Sequence, residues 1–310
     1  MRILVYGAGV LGCELAHVLL QNKKNDVTLL ARGEWKERID QKGLVIRQWA
    51  QRKTTVDRVR TIDVLAPEDF YDLVFVVLQA GQLPDVLPVL KANRSPYFVF
   101  VGNDPHAKQV LEAMQRPADK VAFGFQNTAG RRERDRVVSV HTGVGMTVGG
   151  ATAPLSGTFR IRLKTAFDGT KYKLTFYSDM DEWLKCHIAF ILPVCYVCYA
   201  CNGDLTRASK QQRAAILDAA YEGCEMLKAC LLYTSPSPRL QHPAEMILPA
   251  QSPAKAPGSH DREPGALLCL SGKKIMPDPT VPPGLPAPPQ WRCHPGRPRC
   301  RRFPSGPAVP

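Results

Sequence analysis

Residues 3–6 form a short unbroken apolar run, the pattern of a strand buried on both faces. Over residues 10–21 the apolar positions switch to helical spacing. A second strand is expected at 26–32, then a helix and short strands within 35–66, around 44–48 and 55–65. Residues 71–78, Tyr-Asp-Leu-Val-Phe-Val-Val-Leu, are apolar and β-branched, which predicts another buried strand. A helix at 83–92 and strands at 97–101 and 120–125 follow, with 137–141 and 145–149 extending the sheet. Residues 159–164 and 171–177 read as further strands or as the connection out of the sheet. The expected class is α/β.

At Ser178 the pattern changes. Ser178-Asp-Met-Asp-Glu182 has the cap and acidic first turn of a helix start. Residues 183–201 are expected to be helical and largely buried. Their apolar part, 188–201, is too short to span a bilayer comfortably and contains Pro193. A second amphipathic helix is expected at 208–229, with Ile216, Ala219, Ala220, Gly223 and Leu227 on one face. From residue 231 no period of 2 or 3.6 persists and most of the 27 prolines fall there. Such a segment buries too little apolar surface to offset its ordering entropy, so disorder is expected. Cys230-Leu-Leu-Tyr-Thr-Ser-Pro-Ser-Pro-Arg239 also reads like a translated transposon-end adapter from a sequencing library. On that reading the native protein ends near Ala229; a native Pro-rich tail is the alternative. The expected division is 1–177, 178–230 and 231–310.

The chemistry starts at the first turn. Gly7, Gly9 and Gly12 stand at G-x-G-x-x-G spacing between a strand and a helix, the context that gives this motif meaning. Gly7 permits the tight turn, Gly9 lets a pyrophosphate approach the backbone, and Gly12 lets helix and strand pack closely. Ala8, Val10 and Leu11 complete the turn, whose free N–H groups and helix dipole favour a phosphate. A plain strand-to-helix turn without ligand is the bland alternative. Arg32 lies at the end of the second strand, 20 residues after Gly12. An acidic residue there holds the ribose 2′-hydroxyl of NAD; an arginine suits the 2′-phosphate of NADP. The segment Gln79-Ala-Gly-Gln82 follows a strand, where ligands collect in open α/β sheets.

Charge and cysteine content change this picture little. The net charge is +13, and residues 231–310 hold ten Lys/Arg against four Asp/Glu, about half of the excess. A nucleic-acid binder with a basic tail is the weakest of the readings. The ten cysteines show no disulfide framework, and there is no secretory signal, so a reduced cytoplasmic protein without membrane attachment is expected. Cys195, Cys198 and Cys201 have C-x-x-C-x-x-C spacing, but the fourth ligand and the proline of a cluster run are absent, so no metal is expected. The mixed-sign run of residues 131–136 reads as a solvated loop.

Gly7-Ala-Gly-Val-Leu-Gly12, Leu29-Leu-Ala-Arg-Gly33, Asp72-Leu-Val-Phe-Val-Val, Gln82, Gly102-Asn103, Trp183-Leu-Lys185 and Asn202-Gly-Asp-Leu205 together resemble the ketopantoate reductase (2-dehydropantoate 2-reductase) family. The resemblance covers about residues 1–229. It implies an N-terminal Rossmann-type parallel sheet, a partial all-helical C-terminal domain, and an active site between them. It implies NADPH-dependent reduction of a small 2-keto acid, ketopantoate or a related compound, of the pantothenate-pathway type. Gly7, Ala8, Gly9, Val10, Leu11, Gly12, Arg32, Gln79 and Asn103 are then the cofactor residues. Lys185 is the catalytic lysine, and Asn103, Lys185 and Asn202 are the substrate residues. An ammonium near the ketone oxygen stabilises the charge that hydride addition creates there and donates a proton. A snorkelling lysine at a helix start is the alternative for Lys185, and a turn signal the alternative for Asn202.

The departures from the family pattern matter as much. Gln79 stands where the family usually has lysine, and Ala189 to Pro193 lacks the family's asparagines. Losing polar donors changes which substrate a pocket accepts. His187 is an additional titratable group beside Lys185, for which a structural role outweighs a role as acid. The family's late Ser and acidic motif has no counterpart after Ala229. The alternative to a reductase is therefore an NADP(H)-binding paralogue or truncated product without turnover. Homodimerisation is left open.

Overall fold

The computed structural model describes residues 1–229. The expectations for the Pro-rich tail lie outside the described residues. The chain opens with β1 (Arg2–Tyr6), α1 (Val10–Gln21), β2 (Asp26–Leu30), α2 (Gly33–Lys42), β3 (Leu44–Gln48), β4 (Lys53–Asp57) and β5 (Arg60–Ile62). Then come β6 (Leu73–Val76), α3 (Leu83–Ala92), β7 (Phe98–Val101) and α4 (Ala107–Met114). They are followed by β8 (Val121–Arg132), β9 (Val137–Gly149), α5 (Gly157–Ala166) and β10 (Lys173–Phe176), and finally α6 (Met180–Ala200) and α7 (Lys210–Ala229).

The strands form one mixed sheet in the order β4-β3-β9-β8-β7-β6-β1-β2-β5, with β10 also paired to β9. All pairings are parallel except β3–β4 and β8–β9. Its centre, β7-β6-β1-β2, is buried on both faces, as parallel sheets are. Along β1 the side chains alternate: Ile3 and Val5 enter one core cluster, Leu4 and Tyr6 the other. The second cluster also takes in Met180, Trp183 and Leu184, so the start of α6 is built into the core below the sheet.

Several sequence expectations need correction. Residues 159–164 are helical, within α5. Their Phe-Arg-Ile-Arg-Leu-Lys alternation imitates a strand, but Ser156 caps the helix by accepting from the Phe159 N–H, and Phe159, Leu163 and Ala166 are buried at helical spacing. Ile161 is left exposed as the cost of that choice. The strand expected to end at Phe125 continues to Arg132, with a bulge between Gln126 and Thr128. The two strands expected at 137–141 and 145–149 are one, β9. The strand expected at 55–65 is two, β4 and β5, which pair with different neighbours.

The cap and acidic first turn expected within 178–182 are present, with Asp179 as the cap and Asp181 and Glu182 in the first turn, but the helix that follows is not largely buried. Its 21 residues are long and apolar enough to cross a membrane by length and composition. Its first turns are instead core, while Leu192, Tyr196 and Tyr199 are exposed. Helix α7 packs against it, with Gly223 facing Ala189 closely enough that an added Cβ would come within 3.0 Å.

Candidate functional site

The glycine turn lies between β1 and α1, over the end of β6. Gly7 has φ +121°, and a Cβ there would sit 2.4 Å from the Val77 carbonyl oxygen. A Cβ on Gly12 would come within 1.9 Å of the Gly7 carbonyl oxygen. Above Gly9 there is open space for 4 Å. The three glycines thus divide as their spacing implies: two for close packing and one for close approach from outside. Helix α1 starts on Gly9 with no side-chain cap and no acidic residue in its first turn. Its free N–H groups and positive dipole end face this opening, the arrangement that binds phosphate.

A cavity of about 990 Å³ opens here. Gly7, Ala8, Gly9, Val10, Leu11, Gly12, Arg32, Gln79 and Asn103 all line it. They come from four separate strand ends, those of β1, β2, β6 and β7, brought together by parallel pairing. Arg32 is exposed, bonds to the Tyr6 hydroxyl at 3.3 Å, and has no carboxylate partner among the described residues. Gln79 caps the turn before α3, where its backbone N–H donates to Gln82 Oε1 at 3.1 Å. These features fit a nicotinamide dinucleotide: uncapped N–H groups for a pyrophosphate, a free guanidinium for a phosphate, and room for both.

Trp35, Gly130 and Arg132 also line the cavity, and the sequence reading missed them. Trp35 is buried, and its indole N–H donates to the Ala8 carbonyl at 3.0 Å, fixing the turn from α2. Gly130 and Arg132 arrive on the β8–β9 hairpin. The only signal for them was the long β8 register, which no local pattern reveals.

Lys185 does not line this cavity. It is half-buried on α6, and its ammonium donates to Asp181 Oδ2 at 2.6 Å. Asp181 is 2% exposed and also pairs with Lys108 of α4 at 3.3 Å. Asp181 Oδ1, Glu182 Oε1 and Trp183 Nε1 are buried with no hydrogen-bond partner among the described residues. Burial holds the Glu182 carboxyl above its ordinary range. Lys185 stands at one end of a groove of about 570 Å³ between α6 and α7, lined by Ile188, Ala189, Leu192, Ile216 and Met226 among others. Pro105 lines that groove and Gly102 and Asn103 line the cavity, so the loop after β7 borders both. Asn202 borders neither: it sits in a left-handed turn, φ +52°, past the end of α6.

His187 stacks on Trp183, with ring centroids 5.1 Å apart, and packs against Phe125 at 4.2 Å. Burial pushes its pKa down to about 4. It is therefore neutral at pH 7 and supplies no charge to the site. The unfolded chain binds this proton near pH 6.5 and the folded one only near 4. Stability is therefore lost as pH falls between those values, by about 3 kcal/mol in full. His187→Phe keeps the stack and lacks the titration. Its melting temperature is expected to fall less than the parent's between pH 6.5 and 4, and parallel curves would remove this account.

Cys195, Cys198 and Cys201 do not converge. They are exposed, half-buried and buried respectively, because residues six apart on a helix point well away from each other. No group of metal-ligating side chains forms among the described residues.

Three comparisons place this geometry. The sequence model of the family described as ketopantoate reductase PanE/ApbA matches residues 3–153. No curated protein sequence matches the chain. Among solved structures, it is similar to 2-dehydropantoate 2-reductase from Porphyromonas gingivalis, with TM-score 0.64 and 14% identity, over 78% of this chain and 86% of that one. It is also similar to 2-dehydropantoate 2-reductase from Geobacter metallireducens, with TM-score 0.61 and 20% identity, over 73% of this chain and 74% of that one. A third is D-mandelate dehydrogenase in a ternary structure with NADH and anilino(oxo)acetate, with TM-score 0.57 and 16% identity, over 77% of each chain.

Proposed function

We propose, from the match of residues 3–153 to the ketopantoate reductase family model, that the chain reduces a 2-keto acid to the 2-hydroxy acid with NADPH. The observation that carries this is the single cavity on which all nine expected cofactor residues meet, with Arg32 free of any acidic partner among the described residues. A bound nicotinamide dinucleotide supplies the hydride. The glycine turn and the start of α1 hold its pyrophosphate, and Arg32 holds the 2′-phosphate. Lys185 holds positive charge at the ketone oxygen and gives it a proton, while Asp181 fixes the direction of the ammonium. Asn103, on the loop shared by cavity and groove, orients the substrate.

The groove beside Lys185 is apolar where the family pattern has asparagines, which favours a 2-keto acid with an apolar side chain over a hydroxylated one. A purified preparation offered ketopantoate, 2-ketoisovalerate and phenylglyoxylate is expected to oxidise NADPH with at least one, and NADH more slowly. Failure with every 2-keto acid, while NADPH still binds, would favour the second reading. That reading is a dinucleotide-binding protein without turnover. It rests on Lys185 being held by Asp181 on the groove rather than on the cavity.

A further inference from the structure

We propose that Arg132 is a second guanidinium for the 2′-phosphate of the dinucleotide, acting with Arg32 across the Trp35 ring. The inference rests on the cofactor reading above and names a specificity residue in it.

Four observations converge. The β8–β9 hairpin runs over the start of α1 so closely that a Cβ on Gly130 would lie 3.1 Å from Val10 Cγ1. Past the bulge the strand is regular, so Gly130 and Arg132 share one face and Arg131 takes the other. The Arg132 guanidinium lies over the Trp35 ring, 5.4 Å from its centroid, and both residues line the cavity of the glycine turn. Finally, two neighbouring arginines of this hairpin are occupied differently. Arg131 and Arg136 both pair with Glu133, at 2.6 and 2.7 Å, whereas Arg132, like Arg32, has no carboxylate partner among the described residues.

Charge decides what such a pair binds. A phosphate monoester is close to a dianion at neutral pH, and one guanidinium neutralises only half of it. The pyrophosphate is already served by the N–H groups of the turn and of α1. Trp35 stands three residues beyond Arg32 on α2, so the stacked Arg132 is on the Arg32 side of the cavity. The ring presents the guanidinium plane ready to donate in pairs, which lowers the ordering cost of a two-pronged bond.

The test uses the full chain and measures equilibrium binding by ligand fluorescence and calorimetry. Arg132→Ala is expected to weaken NADPH and 2′,5′-ADP by about tenfold and to leave NADH within about twofold. Arg131→Ala, from the same run but facing away, is expected to change none of the three. Equal loss for NADPH and NADH would make Arg132 a pyrophosphate contact and overturn the proposal. So would unchanged NADPH affinity. If Arg132→Ala melts early, Arg132→Gln carries the same comparison. A parent that binds neither dinucleotide overturns the cofactor reading as well, whereas normal binding with an indifferent Arg132 overturns this inference alone.

Discussion

Gly12→Ala will abolish dinucleotide binding and lower stability by about 3 kcal/mol, the upper end of ordinary overpacking costs. The added methyl would be driven to 1.9 Å from the Gly7 carbonyl oxygen, a backbone atom that cannot rotate away. Relief requires α1 to lift from β1, or the turn to open. Gly7 cannot take up the shift, because its own backbone is at φ +121° and wedged against the Val77 carbonyl. Lifting α1 moves the free N–H groups that the phosphate needs, so binding and stability fall together. For a chain of this size the melting temperature should drop by about 6–12 °C. Gly9→Ala provides the contrast. Open space surrounds its Cβ position, so the fold should tolerate the methyl while the ligand, which approaches there, is weakened. A Gly12→Ala protein that melts and binds like its parent would show that the turn is laxer than its geometry requires.

What could be seen in the sequence was local. The strand, glycines, helix and Arg32 lie within 32 residues, and each carries its own pattern. Their convergence with Gln79 and Asn103 also followed, because parallel strands bring their ends to one edge. The face expected for α7 was correct too: Ile216, Ala219, Gly223 and Leu227 line the α6–α7 groove and Ala220 is buried, since helical period alone decides which side chains share a face. What could not be seen depended on distant pairing. Arg132 reaches the cavity of the glycine turn only because β8 continues through a bulge and pairs with β9 in a register running from Phe123 to Arg132. From charge alone, the run at 131–136 has the composition of a solvated loop. Residues 159–164 misled in the opposite direction: their alternation has the period of a strand, but the Ser156 cap and the burial of Phe159, Leu163 and Ala166 at helical spacing decide for a helix and leave Ile161 exposed. The exposure of Leu192 and Tyr196 was hidden for another reason: hydrophobicity shows what a residue gains by burial, not whether a neighbour is there to bury it.

Lys185→Ala will cut turnover on the order of 10²–10⁴-fold, the span usual for a positioned proton donor, while leaving NADPH affinity nearly unchanged. The separation is built into the structure. The residues proposed to hold the dinucleotide line the cavity of the glycine turn, and Lys185 stands across the loop of residues 102–105 on the groove. Removing the ammonium does not strand Asp181, which keeps Lys108 at 3.3 Å. The loss therefore stays well below the penalty for an unpaired buried charge. Lys185→Arg sharpens the test. It keeps a cation beside Asp181, but a guanidinium holds its proton too firmly to hand it to an alkoxide. A partial recovery relative to alanine would measure the electrostatic share of the effect, and the remaining deficit the proton transfer. Asp181→Asn should retain the lysine and lose its aim, lowering turnover more than it raises KM. Steady-state NADPH oxidation alongside direct NADPH titration separates these outcomes. Turnover in Lys185→Ala within threefold of the parent would remove the lysine from the chemistry and leave the apolar groove without a catalytic group at its mouth.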